Sequence, residues 1–259
     1  LVGLVLTVGG INGVAINTAH ELGHTYGLNH ANLWKVADGN PISAAGASVE
    51  YKDYYDIMGG GPNDARLDFN PWYKSLLGWT NATQVKTISS TGSYRIYAYD
   101  HANSTAASNE LVALKIAKDA GTDYWVSLRR NVTDNALLSH GAYIVWGYPT
   151  ASGRSNLLNL TTPGGDYTDA PLAIGRGFSD PAGNVTIRVT GEGGTAPNYY
   201  LDVEVTLGAA APFFAALGNS TSTVLANGTA TFKTSGAGNP APTYQWQSLP
   251  AGQSAWSNL

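Results

Sequence analysis

The chain has no cysteine. Disulfides are therefore excluded, and so is any zinc site closed by thiolates; the fold must be held by its core, by a metal on other ligands, or by both. Charge is scarce as well: Asp, Glu, Lys and Arg make up 12% of 259 residues, and the formal net charge is -4. That balance argues against a basic face able to grip a nucleic acid backbone. Long apolar runs are missing too. The opening stretch Leu1 to Val8 is too short to cross a bilayer and lacks a basic flank or cleavage signal, so it reads as a β-strand, and no other segment reads as a membrane span.

What is present points to a β-rich extracellular protein with many tight turns: 31 glycines, abundant Ser, Thr and Asn, and aromatic residues at 10%. Seven Asn-x-Ser/Thr triplets, at Asn81, Asn103, Asn131, Asn159, Asn184, Asn219 and Asn227, arise readily by chance in a chain so rich in Asn and Thr. Glycosylation would also need a eukaryotic secretory route, so nothing is built on them.

The length allows two domains and part of a third. The first part, 1–86, carries a helical stretch from about Val14 to Tyr26 after a Gly-rich turn. Ile16, Ala19, Gly23 and Tyr26 recur at three- and four-residue spacing, which predicts one buried face. A short helix is predicted around Pro71 to Leu77, with Pro in its first turn and Gly78 at its end. The second part, 87–208, shows alternating runs at Ser93–Tyr99, Leu111–Ile116, Asp123–Arg129, Ala142–Trp146, Asn184–Thr190 and Tyr199–Thr206, the spacing of an all-β sandwich. The third, 213–259, follows the small-residue hinge Gly208 to Pro212. There, Gly228–Thr234 and Pro240–Gln247 resemble strands B and C of a partial bacterial immunoglobulin-like domain, with Trp246 as the buried strand-C tryptophan.

The chemistry lies in His20-Glu-Leu-Gly-His-Thr-Tyr-Gly-Leu-Asn-His30. Residues four apart share one helix face, so His20 and His24 aim at one point, with Glu21 at the edge of the same cleft. Gly27 can take a positive φ, end the helix and return His30 as a third ligand. Three neutral imidazoles and a water make a tetrahedral zinc site with an open position. A structural zinc site would close that fourth position with a protein ligand, most often cysteine, and the chain has none. Satisfied core histidines are the other reading, but Glu, Gly and three histidines all in register make a chance match rare. In the catalytic reading zinc polarises a bound water and the scissile carbonyl, and Glu21 is the general base that passes a proton to the leaving amine.

The segment His20 to His30 matches the metzincin pattern H-E-x-x-H-x-x-G-x-x-H. The resemblance makes Met58, the only methionine and 28 residues past His30, the Met-turn residue that supports the ligands without binding metal. More finely, the chain resembles gametolysin-type peptidases and their bacterial relatives. Glu50-Tyr-Lys-Asp-Tyr-Tyr-Asp-Ile-Met-Gly59 follows their E-Y-G-D-x-x-D-x-M-G stretch, with Lys52 where they carry glycine, and Phe69 to Trp79 ends in their L-G-W. Tyr124–Arg130, Asn156–Pro163 and Asp169–Asp180 fit their β-rich C-terminal region, and the resemblance spans about residues 3 to 207.

The resemblance implies an α+β protein: a truncated metzincin catalytic domain with its active-site helix and Met-turn, then the all-β sandwich and the immunoglobulin-like part. It also implies that the substrate-binding sheet of such a domain lies upstream of Leu1. The implied function is a secreted zinc endopeptidase acting on protein or glycoprotein, with β domains that orient it on a surface or extracellular polymer. The alternative is an extracellular adhesion or binding protein with an inactive peptidase-like domain, against which the retained Glu21 speaks. A supporting role for the Tyr54 or Tyr55 hydroxyl at the oxyanion, and a Ca2+ site at Asp166, Asp169 and Asp180, are secondary to ordinary packing and turn roles. His101 and His140 are predicted to be solvated loop residues.

Overall fold

The structure, a computed structural model, describes residues 11–62, 64, 66–101, 109–148, 153–161, 166–217, 223–232 and 234–259. The strand predicted at Leu1 to Val8 lies outside the described residues. The protein is mainly β, with few helices, on a mixed seven-stranded sheet and smaller antiparallel sheets.

The seven-stranded sheet contains β1 (Ala31–Lys35), β2 (Ala47–Val49), β3 (Val85–Ile88), β5 (Ala113–Ala117), β6 (Asp123–Leu128), β7 (Ala142–Gly147) and β8 (Ser155–Leu158). Their order is β2-β1-β8-β7-β6-β5-β3. The β1–β8 and β3–β5 pairs are parallel and the others antiparallel. The second sheet is antiparallel, in the order β4 (Gly92–Tyr97), β11 (Tyr200–Leu207), β10 (Val185–Gly193) and β9 (Gly177–Asp180).

Alternation along the strands explains the layering, since successive side chains point to opposite faces. Tyr124, Val126 and Leu128 of β6 and Ile144 and Trp146 of β7 join Ile187, Val189, Val203 and Val205 in a core between the two sheets. Trp125, Tyr143 and Val145 point the other way and form a second core with Leu28, Met58, Phe69, Trp72 and Tyr73. Both faces of the large sheet are thus covered, and β6 and β7 are buried at every residue.

Strands from both sides of residue 86 pair in this sheet, so hydrogen bonding runs across the expected division between the first two parts. Ala31 to Trp34 pair with Ser155 to Leu158, strands that no local pattern had marked.

The helices are α1 (Ile11–Thr25), α2 (Pro71–Leu76) and α3 (Ala136–His140). The Asn70 side chain caps α2 by accepting from the Tyr73 N–H. Its other end closes when Trp79 N–H donates to Lys74 O at 2.8 Å and Gly78, with φ 69, donates to Ser75 O at 3.1 Å.

The C-terminal segment differs from the expectation. β12 (Ala210–Leu217) pairs with β13 (Thr234–Asn239), and β14 (Gln247–Ser248) with β15 (Ser257–Asn258). Gly228 to Phe232 and Pro240 to Trp246 lie outside strands, and Trp246 is 50% exposed rather than buried. A two-stranded ribbon has no facing sheet against which to bury an indole, and the described residues supply none here.

Candidate metal centre

Helix α1 carries His20 and His24 one turn apart, as the spacing required. It ends at Thr25, and the chain then turns, as predicted, through Gly27 with φ 87. Gly27 N–H donates to His24 O and Leu28 N–H to Gly23 O, both at 3.0 Å, which satisfies the last carbonyls of the helix. Leu28 is buried behind this turn, and Ala31 N–H then bonds Met58 O at 2.9 Å, so His30 stands at the threshold of β1. Tyr26, assigned to the buried face, is 71% exposed because the helix has already ended at Thr25.

The three imidazoles converge. Ring centroids lie 4.8 Å apart for His20–His24, 5.0 Å for His24–His30 and 5.6 Å for His20–His30. Each ring has one nitrogen already engaged: Nδ1 of His20 with Ile57 O at 2.8 Å, of His24 with Leu28 O at 2.8 Å, and of His30 with Glu50 Oε1 at 2.7 Å. Carbonyls and a carboxylate only accept, so each Nδ1 carries the hydrogen and each Nε2 keeps a lone pair for a ligand. The facing ligand atoms lie within 4.8 Å of one another. Around a tetrahedral zinc they would stand about 3.4 Å apart, a side-chain adjustment of an ångström or so. Burial, reinforced by the neighbouring His24 and His30, holds His20 below the ordinary imidazole value, against the hydrogen bond to Ile57; this favours the neutral, ligating form. The donor set thus suits a borderline divalent ion such as zinc.

Met58 supports this arrangement from below. It is fully buried, and a Cβ at Gly23 would stand 2.5 Å from its sulfur, so any larger residue there would force the thioether or the helix to shift. The adjoining Ile57 carbonyl is the one that holds His20.

The turn that presents both residues is built on buried carboxylates. Asp56 accepts from Met58 N–H and Asn70 N–H, both at 2.7 Å. Asp53 accepts from Tyr55 N–H at 3.3 Å and from the Tyr143 hydroxyl. Burial pushes Asp53 up to about 6 and Asp56 up as well, despite these bonds and the Arg129 guanidinium. Arg129, itself fully buried, ties the loop to β6 by donating to Tyr55 O, to Arg66 O at 2.8 Å and to Asp100 at 3.1 Å.

Glu21, half-buried, lines a cleft of about 300 Å³ with His20, Tyr51, Ile16, Ile57 and Leu67. The acid, the three histidines and Met58 are therefore brought together. A larger cavity of about 430 Å³ shares Leu67 but holds none of the histidines.

Tyr54 and Tyr55 do not line the cleft: the Tyr54 hydroxyl is bonded by Lys52, and the buried Tyr55 hydroxyl accepts from Asn135 at 2.5 Å. The tyrosine at the cleft is Tyr51, whose ring centroid lies 3.8 Å from that of His30. With Glu50 it forms the pair against His30 that no sequence pattern marked. Both lie inside the quoted stretch before Met58, yet no local period marks a contact across twenty residues.

Asp166 and Asp169 are taken up by turn hydrogen bonds, and Asp180 accepts from Tyr124 and Gly183, so their oxygens serve the fold rather than a shared ion. His140 is exposed, as expected, but closes α3 and bonds Glu192 at 2.8 Å rather than lying in a loop, and His101 is only partly exposed. Among the described residues His20, His24 and His30 form the one group suited to hold a metal.

No protein-family model matches this chain, and no curated protein and no solved structure matches it either.

Proposed function

We propose that the chain is the metal-binding part of a secreted zinc endopeptidase of the metzincin type, with gametolysin-like peptidases as the finer resemblance. The observation that carries this reading is the convergence of three imidazoles, all with Nδ1 engaged, beside a carboxylate in an open cleft. His20, His24 and His30 would hold the ion, and Met58 would support them. Zinc bound there supplies Lewis acidity and a water of lowered pKa.

The rest of the chemistry belongs to the chain. Glu21 takes a proton from the attacking water and returns it to the nitrogen of the departing amine, so water adds across the C–N bond with protons balanced. Ile16, Ile57 and Leu67 give the cleft an apolar wall for the substrate chain. The β regions behind the site would orient the enzyme on a surface or extracellular polymer. No described helix is long and apolar enough to cross a membrane.

The test is metal analysis and casein cleavage by the full-length protein that contains this chain, compared with its Glu21→Ala variant. The variant is expected to keep its zinc and lose about 10²- to 10⁴-fold in rate. Unchanged cleavage by Glu21→Ala would refute its role as base. Zinc binding without cleavage of any protein would favour the adhesion or binding reading.

A further inference from the structure

Two of the three imidazoles are held by backbone carbonyls of buried or helix-terminal residues, Ile57 and Leu28. His30 is different. It lies beyond the helix, and its restraints are both side chains from one dipeptide. Glu50 Oε1 bonds its Nδ1 at 2.7 Å, and the Tyr51 ring lies against its ring, with centroids 3.8 Å apart and planes 33° from parallel.

The backbone is arranged to deliver this pair. Residues 47–49 form β2, the edge strand of the large sheet, and the chain leaves it directly into Glu50. Tyr51 has φ 63, a left-handed conformation that a bulky residue rarely adopts. It is held there on both sides: its N–H donates to Asn32 Oδ1 at 3.0 Å, and its carbonyl accepts from Gly60 N–H at 2.7 Å. Asn32 is buried and itself donates to Ser48 at 3.0 Å. Gly60 is required at its position, since a Cβ there would stand 2.9 Å from Tyr51 Cβ. This unusual backbone serves a side chain that does not enter the core, for Tyr51 is 39% exposed. Packing does not account for the conformation; the ring's place against His30 does.

Resting on the metal reading above, we propose that Glu50 and Tyr51 are the positioning residues of His30. Glu50 selects the tautomer with hydrogen on Nδ1, and the Tyr51 ring sets the imidazole plane, so that Nε2 faces those of His20 and His24. Removing an orienting partner of a metal-bound histidine typically costs 10- to 100-fold in metal affinity.

The experiment compares wild type with Glu50→Ala, Tyr51→Phe, Tyr51→Gly and Tyr51→Ala. Zinc affinity is measured by chelator competition, thermal unfolding is followed on the metal-free proteins, and the His30 tautomer is read from ¹⁵N imidazole shifts of the metal-free proteins. Tyr51→Phe keeps the ring and should bind zinc like wild type. Tyr51→Gly should unfold no earlier than wild type, because glycine accepts the positive φ, yet bind zinc about 10-fold or more weakly. That opposition separates positioning from a merely structural role, in which stability and affinity would fall together. Glu50→Ala should weaken binding about 10-fold or more and turn His30 from the Nδ1–H form into a tautomer mixture. If wild type binds zinc while Tyr51→Gly, Tyr51→Ala and Glu50→Ala match it in affinity and tautomer, the positioning proposal is overturned and the metal reading stands. If wild type takes up no zinc, the metal reading falls. The His30 tautomer then decides: a change in Glu50→Ala supports the positioning claim, and no change overturns it.

Discussion

Gly23 sits between His20 and His24 on the face of α1 that meets Met58, and Gly23→Ala tests whether that contact sets the height of the helix. In an exposed helix interior the substitution would stabilise by about 1 kcal/mol, because alanine loses less backbone freedom than glycine. Here the new Cβ would stand 2.5 Å from Met58 sulfur and 3.5 Å from Leu28 Cδ1, whereas comfortable contacts lie at about 3.5–4.0 Å. Met58 is fully buried, and its N–H and carbonyl are both bonded, so it has little room to retreat. Overpacking of this kind costs about 1–3 kcal/mol, and the confinement argues for the upper half of that range. The net expectation is destabilisation by about 1–2 kcal/mol in urea unfolding of the metal-free protein, with zinc affinity lowered as the helix lifts. Met58→Ala alone should cost about 2–5 kcal/mol by opening a cavity. In that background the clash is gone, so Gly23→Ala should change sign and stabilise by about 1 kcal/mol. The reasoning fails if Gly23→Ala stabilises the otherwise wild-type protein, or if the two substitutions add to within about 0.5 kcal/mol.

Two other predictions concern the turn and the buried acids. A Cβ at Gly27 would meet nothing within 4 Å, so Gly27→Ala bears only the cost of φ 87: about 1–2 kcal/mol of stability, and weaker zinc binding as His30 shifts, both read by urea unfolding and chelator competition. Asp53 is raised to about 6 from an ordinary 3.8, so the folded chain keeps a proton that the unfolded chain releases. Its contribution to stability is fullest below about pH 4 and falls, by on the order of 3 kcal/mol, as pH rises to about 6. The metal-free Asp53→Asn variant should therefore gain stability relative to metal-free wild type between pH 4.5 and 7, and a pH-independent difference would contradict the buried, protonated carboxyl.

Much of the centre could be read in advance because its geometry is local. The four-residue spacing of His20 and His24 defines a helix face, and Gly27 marks the left-handed turn that brings His30 back six residues after His24. The alternating runs became β4, β5, β6, β7, β10 and β11 within three residues of their expected ends. In the two larger sheets the strands that were missed, β1, β2, β3, β8 and β9, are three to five residues long, too short for a period to declare itself; β12 and β13 were missed because small residues, Gly, Ala and Pro, leave no alternating pattern there. Trp246 failed for the opposite reason: the motif around it is right for a sandwich strand, but the described residues around it hold no second sheet to bury it.

Residue order alone determined which groups could ligate a metal, since neighbours on one helical turn are placed by backbone dihedrals that every sequence obeys. The tertiary structure decided which groups hold those ligands in place. Met58 and the buried Asp53 and Asp56 reach the centre because a sheet assembled from distant strands must cover both of its faces, while the exposed Glu50 and Tyr51 are carried to His30 by the edge strand β2 and the left-handed backbone that follows it.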